Sequence, residues 1–113
     1  MNLNIDVDRS PKAVVVKLGG RINGETSEVL LERCRALIAE KPVTMVLDLT
    51  NVLYISSAGL SSVLLTGKEL SATNGRLILC GLKGSVKDAF SFTGFDAIFP
   101  IFEHLEKALA HAG

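Results

Sequence analysis

Apolar positions along the chain recur first with a period of two and later with the period of a helix. Leu3, Ile5 and Val7 alternate with polar neighbours, which predicts a strand with one wet face. Ser10-Pro11 makes a turn. Ala13 to Leu18 is an apolar run broken only by Lys17, so the two segments read as an antiparallel hairpin at a sheet edge, the second ending at Gly19-Gly20. Asn23-Gly24 turns the chain into a helix whose start is marked by Thr26 and Ser27 with Glu25 and Glu28, hydroxyl caps and acids suiting its positive end. Leu30, Cys34, Leu37 and Ile38 form its apolar face, with Lys41 as an outlying member, and Pro42 stops it. Val43 to Leu49 is nearly all apolar, the pattern of a strand covered on both faces.

A second helix begins abruptly at Ser56-Ser57, with Leu60, Val63, Leu64, Gly67, Leu70 and Ser71 inward and Ser61, Lys68 and Glu69 outward. Asn74-Gly75 is its stop. Arg76 to Cys80 reads as a third core strand, and Gly81 to Ser85 leads into a short helix carrying Val86, Ala89 and Phe90. Thr93-Gly94-Phe95 is a glycine C-cap whose following apolar residue folds back on the helix. Ala97 to Ile101 reads as an edge strand, because Pro100 cannot donate to a ladder. Glu103 to His111 closes the chain as an amphipathic helix with Leu105, Ala108 and Leu109 inside. The order β-β-α-β-α-β-α-β-α predicts one α/β domain over residues 1–113, with a mixed, mostly parallel sheet and right-handed crossovers.

Between Ile55 and Leu60 stand four small residues, Ser56-Ser57-Ala58-Gly59. They leave a helix N-terminus uncovered, with hydroxyls and unpaired N–H groups outward: a place to cap a helix, hold an anion or carry a phosphate. Composition narrows the partners. Lys+Arg and Asp+Glu both number 12, so there is no basic excess to favour nucleic acid or an anionic membrane surface. No signal peptide and no membrane-spanning run is read, and the chain is expected to be cytoplasmic. Cys34 and Cys80 fall in apolar patterns outside any C-x-x-C arrangement and read as reduced core residues.

Catalytic patterns fail on spacing. Ser57 has Gly59 after it but Ile55 before it, so there is no nucleophile elbow, and Gly67-Lys68 lacks the partners of a phosphate-binding loop. No serine has a lysine three residues on. Asp48 at a strand end reads as a surface or turn-capping acid, and His104 and His111, seven apart on one helix face, lack a third metal ligand. Neither an enzyme, a cofactor nor a metal is expected.

Leu18-Gly19-Gly20-Arg21-Ile22-Asn23, then Val46 to Leu60, then Ala89 to Phe99 together resemble the STAS domains of bacterial anti-sigma-factor antagonists, over essentially the whole chain. The resemblance implies a switch protein that acts as a monomer. Unmodified, it would bind an anti-sigma factor that is also a serine kinase of the histidine-kinase-like ATPase fold. Phosphorylation on one serine would release it, and a metal-dependent serine phosphatase would restore it. The family's D-S-[ST]-G-L pattern places the phosphoacceptor at Ser57, with Ser56 as second choice because it stands where the family has Asp, and Ala58 where the family has Ser or Thr. Asn23 stands where the family often has Asp. The implied partner surface is Asn23, Ser56, Ser57, Ala58, Gly59 and Ser61. The alternative is a non-switching STAS scaffold subunit of an ABC-type lipid transport or stress-signalling complex; a small hydrolase using Ser57 is a third reading.

Overall fold

The computed structural model describes residues 3–112. Five strands form one sheet in the order β1-β2-β3-β4-β5: β1 (Leu3–Arg9), β2 (Val14–Ile22), β3 (Thr44–Ile55), β4 (Arg76–Cys80) and β5 (Ile101–Phe102). β1 pairs antiparallel with β2 at one edge, and the remaining neighbours are parallel. Helices α1 (Gly24–Ile38), α2 (Ser57–Ala72) and α3 (Gly84–Phe92) supply the connections between the parallel strands, and α4 (Leu105–Ala112) follows β5. The predicted element order and sheet class are those observed.

Alternation along the central strands sorts the side chains onto two faces. Met45, Leu47 and Leu49 of β3 and Leu77 and Leu79 of β4 join Leu30, Leu37, Val63, Leu70 and Phe90 beneath α1, α2 and α3. Val15, Val46, Ile78 and Cys80 pack instead with Leu105, Ala108 and Leu109 of α4. Both cysteines are buried free thiols, Cys34 pushed up to about 11 and Cys80 to about 12, chiefly by burial. Thiols so far above neutrality stay protonated and unreactive at physiological pH.

Several boundaries differ from the periodicity. β2 does not end at Gly19-Gly20 but runs through them to Ile22, with Gly20 at φ 105°. The β2–β3 register slips between Lys17 and Gly19 and again between Gly20 and Arg21, each time giving β3 one extra residue. The glycines thus mark bulges, which bend a strand and re-aim its side chains. β3 starts one residue after exposed Val43 and continues six beyond Leu49, so that its second half pairs with β2 alone. Lys41 lies past the end of α1, exposed and at φ 57°, instead of on its apolar face. Ser71 is exposed, while Ser62 and Thr66 occupy the inward face of α2. Of the expected strand over Ala97 to Ile101 only Ile101 joins the ladder, as part of Ile101–Phe102; Ala97 ends a 3-10 turn over Phe95–Ala97, and residues 98–100 are irregular.

α1 and α2 lie side by side. Thr26 and Ser27, expected as caps, are buried, and the Ser62 hydroxyl donates to the Ser27 carbonyl at 3.1 Å. At the opposite end Arg35 and Glu69 pair at 2.8 Å, the guanidinium hydrogen bonds holding the Glu69 carboxyl below its usual range. No helix among the described residues is long and apolar enough to cross a membrane.

Candidate functional site

Two helix N-termini meet where β2 and β3 end. Ile22 and Ile55 are paired in the ladder, and the Ser56 N–H donates to the Ile22 carbonyl at 2.8 Å. The residue after each strand end caps a helix: Asn23 for α1 and Ser56 for α2. The sheet therefore brings together residues more than thirty positions apart in sequence.

At α1, Asn23 Oδ1 accepts from the N–H groups of Glu25 and Thr26, both at 3.0 Å. The Asn23 N–H donates to Thr26 Oγ1 at 2.8 Å, and that hydroxyl donates to the Arg21 carbonyl. This reciprocal box starts the helix: Asn23 is the N-cap, Thr26 closes the box from the third helical position as its hydroxyl allowed, and Ser27 takes no part in it. Because the carboxamide oxygen is committed to the cap, Asn23 has its two N–H donors left to offer outward, where an aspartate would offer charge.

At α2 the two serines are unequal. Ser56 is extended (φ −90°, ψ 174°), half-buried, and its Oγ accepts from the Gly59 N–H at 3.1 Å. Ser57 is the first helical residue; it is exposed, and its hydroxyl makes no hydrogen bond within the described residues. The capping role that sequence allowed for Ser57 belongs to Ser56. Ser56→Ala is expected to cost about 1 kcal/mol by loss of the cap, against no more than about 0.5 kcal/mol for Ser57→Ala. Urea unfolding of the two variants measures the difference, and equal costs would contradict the assignment.

Ala58 and Ser61 are exposed beside Ser57. Gly59, expected on the partner-facing surface, is buried: a Cβ there would stand 2.7 Å from Ile22 Cγ2 and from Ile55 Cγ1. Its small size seats α2 against the strand ends. Two residues that periodicity did not single out extend the exposed surface. Arg21 and Tyr54 are register partners, the guanidinium 4.5 Å from the ring centroid, whereas exposed Leu53 lies with Lys83 and Ser85 at the start of α3. Arginine and tyrosine beside a helix end suit a protein interface. The β3 bulges put them there, and their signal would have been the ladder register.

The other candidates lie elsewhere. Asp48 Oδ1 accepts from the N–H and hydroxyl of Thr50, a turn-capping acid. His104 precedes α4, 3.9 Å from Glu103, whereas His111 lies within it, against Phe102 and Arg76. The two histidines therefore do not share a helix face.

Residues 4–108 match the family model of the STAS domain, and the chain belongs to that family. It is 36% identical to the Bordetella bronchiseptica protein BtrV, named as a candidate anti-sigma factor antagonist, over 96% of this chain and 93% of BtrV. A crystal structure of an anti-sigma factor antagonist from Mycobacterium paratuberculosis superposes with a TM-score of 0.90 at 25% identity, covering 97% of this chain and 93% of that one. The Bacillus cell-fate determinant SpoIIAA, solved in its phosphorylated form, shares the fold with a TM-score of 0.78 at 20% identity, covering 97% of this chain and 100% of that one.

Proposed function

We propose that this chain is an anti-sigma-factor antagonist switched by phosphorylation of Ser57. Unmodified, it binds an anti-sigma factor through Ser57, Ala58 and Ser61, with the exposed parts of Asn23 and Ser56 beside them. The anti-sigma factor is a serine kinase of the histidine-kinase-like ATPase fold. It transfers the γ-phosphoryl group of ATP to Ser57 Oγ, releasing ADP and the hydroxyl proton, and the modified antagonist dissociates. A metal-dependent serine phosphatase hydrolyses the ester and resets the switch. The antagonist itself contributes a surface and an acceptor hydroxyl, and no catalysis.

One observation carries the choice of acceptor: Ser57 Oγ is exposed and free, whereas Ser56 Oγ is engaged by the Gly59 N–H. A phosphate adds about −1.5 to −2 charges, and the first turn of a helix supplies free N–H groups and the positive dipole end to meet them. The fold therefore tolerates the modification while a packed partner surface does not. Incubation with the cognate kinase and ATP is expected to add one phosphate, mapped by peptide mass spectrometry to Ser57 and absent from Ser57→Ala. A phosphate found on Ser56 or Ser61 would refute the assignment.

A further inference from the structure

Besides the outer edges of β1 and β5, the sheet has a third free edge that the switch does not use. β4 follows β3 only as far as the Asp48–Cys80 pair, where Gly81, at φ +78°, takes the chain away across Thr50. β3 runs on to Ile55 with β2 on one side and no strand on the other. Among the described residues, no hydrogen bond joins the backbone of residues 51–54 to the 81–85 segment that leaves β4. Leu53 is the extra residue of the second bulge and has no register partner on β2 either. This edge opens into a groove of about 480 Å³. Asn51, Val52 and Leu53 form one wall, and Lys83, Gly84 and Ser85 at the start of α3 form the other.

The three edges are defended differently. On β1, Asp6, Asp8 and Arg9 are exposed, and charges on an edge strand oppose pairing with another chain. β5 has only two residues to offer. Residues 51–54, Asn-Val-Leu-Tyr, carry neither a charge nor a proline, and Leu53 is 74% exposed. A row of open backbone N–H and C=O groups is matched by a second extended backbone, which presents the same groups at the same spacing. At about 3.3 Å per residue, the free stretch takes a segment of about five residues. A second copy of this chain is a poor donor of that segment. Its β1 is charged, its β5 is too short, and its own β3 edge is recessed beside the start of α3.

We propose that this groove takes an extended segment of another protein, added to the sheet as a short strand in the lane that β4 vacates, with apolar side chains of the segment against Leu53. The site does not depend on the reading of Ser57. The test is a titration of the isotope-labelled full chain with the peptide Thr-Val-Thr-Val-Thr, blocked at both ends, followed by amide chemical shifts. The control is the same peptide with every backbone nitrogen methylated, which keeps the side chains and removes the donors. The unmethylated peptide is expected to produce saturable shifts over residues 50–55 and 81–85, with a dissociation constant on the order of 0.1–1 mM. The methylated peptide should bind about tenfold more weakly, and Leu53→Ser should weaken the unmethylated one by about threefold. Equal binding of the two peptides would mean an apolar contact without strand pairing and would overturn the proposal, as would shifts centred on β1 or no saturable shift. Shifts of residues 50–55 that grow with protein concentration in the absence of peptide would assign the groove to a second copy and overturn it as well.

Discussion

Ser57→Asp is expected to weaken binding to the cognate anti-sigma factor by about a hundredfold or more, equivalent to about 2.7 kcal/mol. One charge buried at an interface built for a neutral hydroxyl is enough, since desolvating it without a matched partner costs several kcal/mol. The folded monomer should not suffer. The new carboxylate would stand in the first turn of α2, where a negative charge gains about 0.3–1 kcal/mol from the helix dipole. Titration calorimetry against the anti-sigma factor, with calorimetric melting of the free variant, reads both quantities. Undiminished binding by a fully folded Ser57→Asp protein would remove the switch, and Ser57→Ala should bind as the wild type does.

The second large effect concerns Gly81. It has φ +78°, and a Cβ there would lie 2.2 Å from Thr50 Oγ1 and 2.7 Å from the Thr50 backbone nitrogen. A side-chain tip could swing away, but a strand backbone cannot. Gly81→Ala therefore adds left-handed strain to a clash that only a shift of β3 relieves, and about 3 kcal/mol of stability should be lost. For a chain of this size that corresponds to a melting temperature lower by roughly 12 °C. Thermal denaturation followed by circular dichroism measures it, and a drop of only a degree or two would show that the crossing of Gly81 over Thr50 is looser than the structure has it.

The helix stops are written locally and lie where the sequence puts them. Asn74 takes the left-handed conformation at the end of α2, with φ 64°. Gly94 does the same after α3, and Phe95 folds back edge-on to Phe90 with ring centroids 6.0 Å apart. These stops are encoded in two or three adjacent residues, so no distant partner is needed to recognise them. The alternation of apolar strand and amphipathic helix likewise sufficed for the mostly parallel sheet.

Long-range register was not legible. Thr50-Asn51 looks like the start of a loop, yet β3 continues through it because β2 runs alongside and β3 takes up its two extra residues as bulges. Gly19-Gly20 looks like a strand end for the same reason. Tyr54 and Arg21 therefore carry no local sign of being neighbours of the two helix N-termini.

By itself the sequence determined the element order, the two-faced core and the small-residue junction Ser56 to Gly59, because period and residue size are properties of short segments. Only the family pattern ranked Ser57 above Ser56; period and residue size left their two hydroxyls alike. The tertiary structure separated them. The bond from the Ser56 N–H to the Ile22 carbonyl holds Ser56 extended against the end of β2, so its hydroxyl turns to the Gly59 N–H and Ser57 is left as the first exposed helical residue. Which hydroxyl is free depends on a contact with a strand over thirty residues earlier, and no local pattern contains that contact.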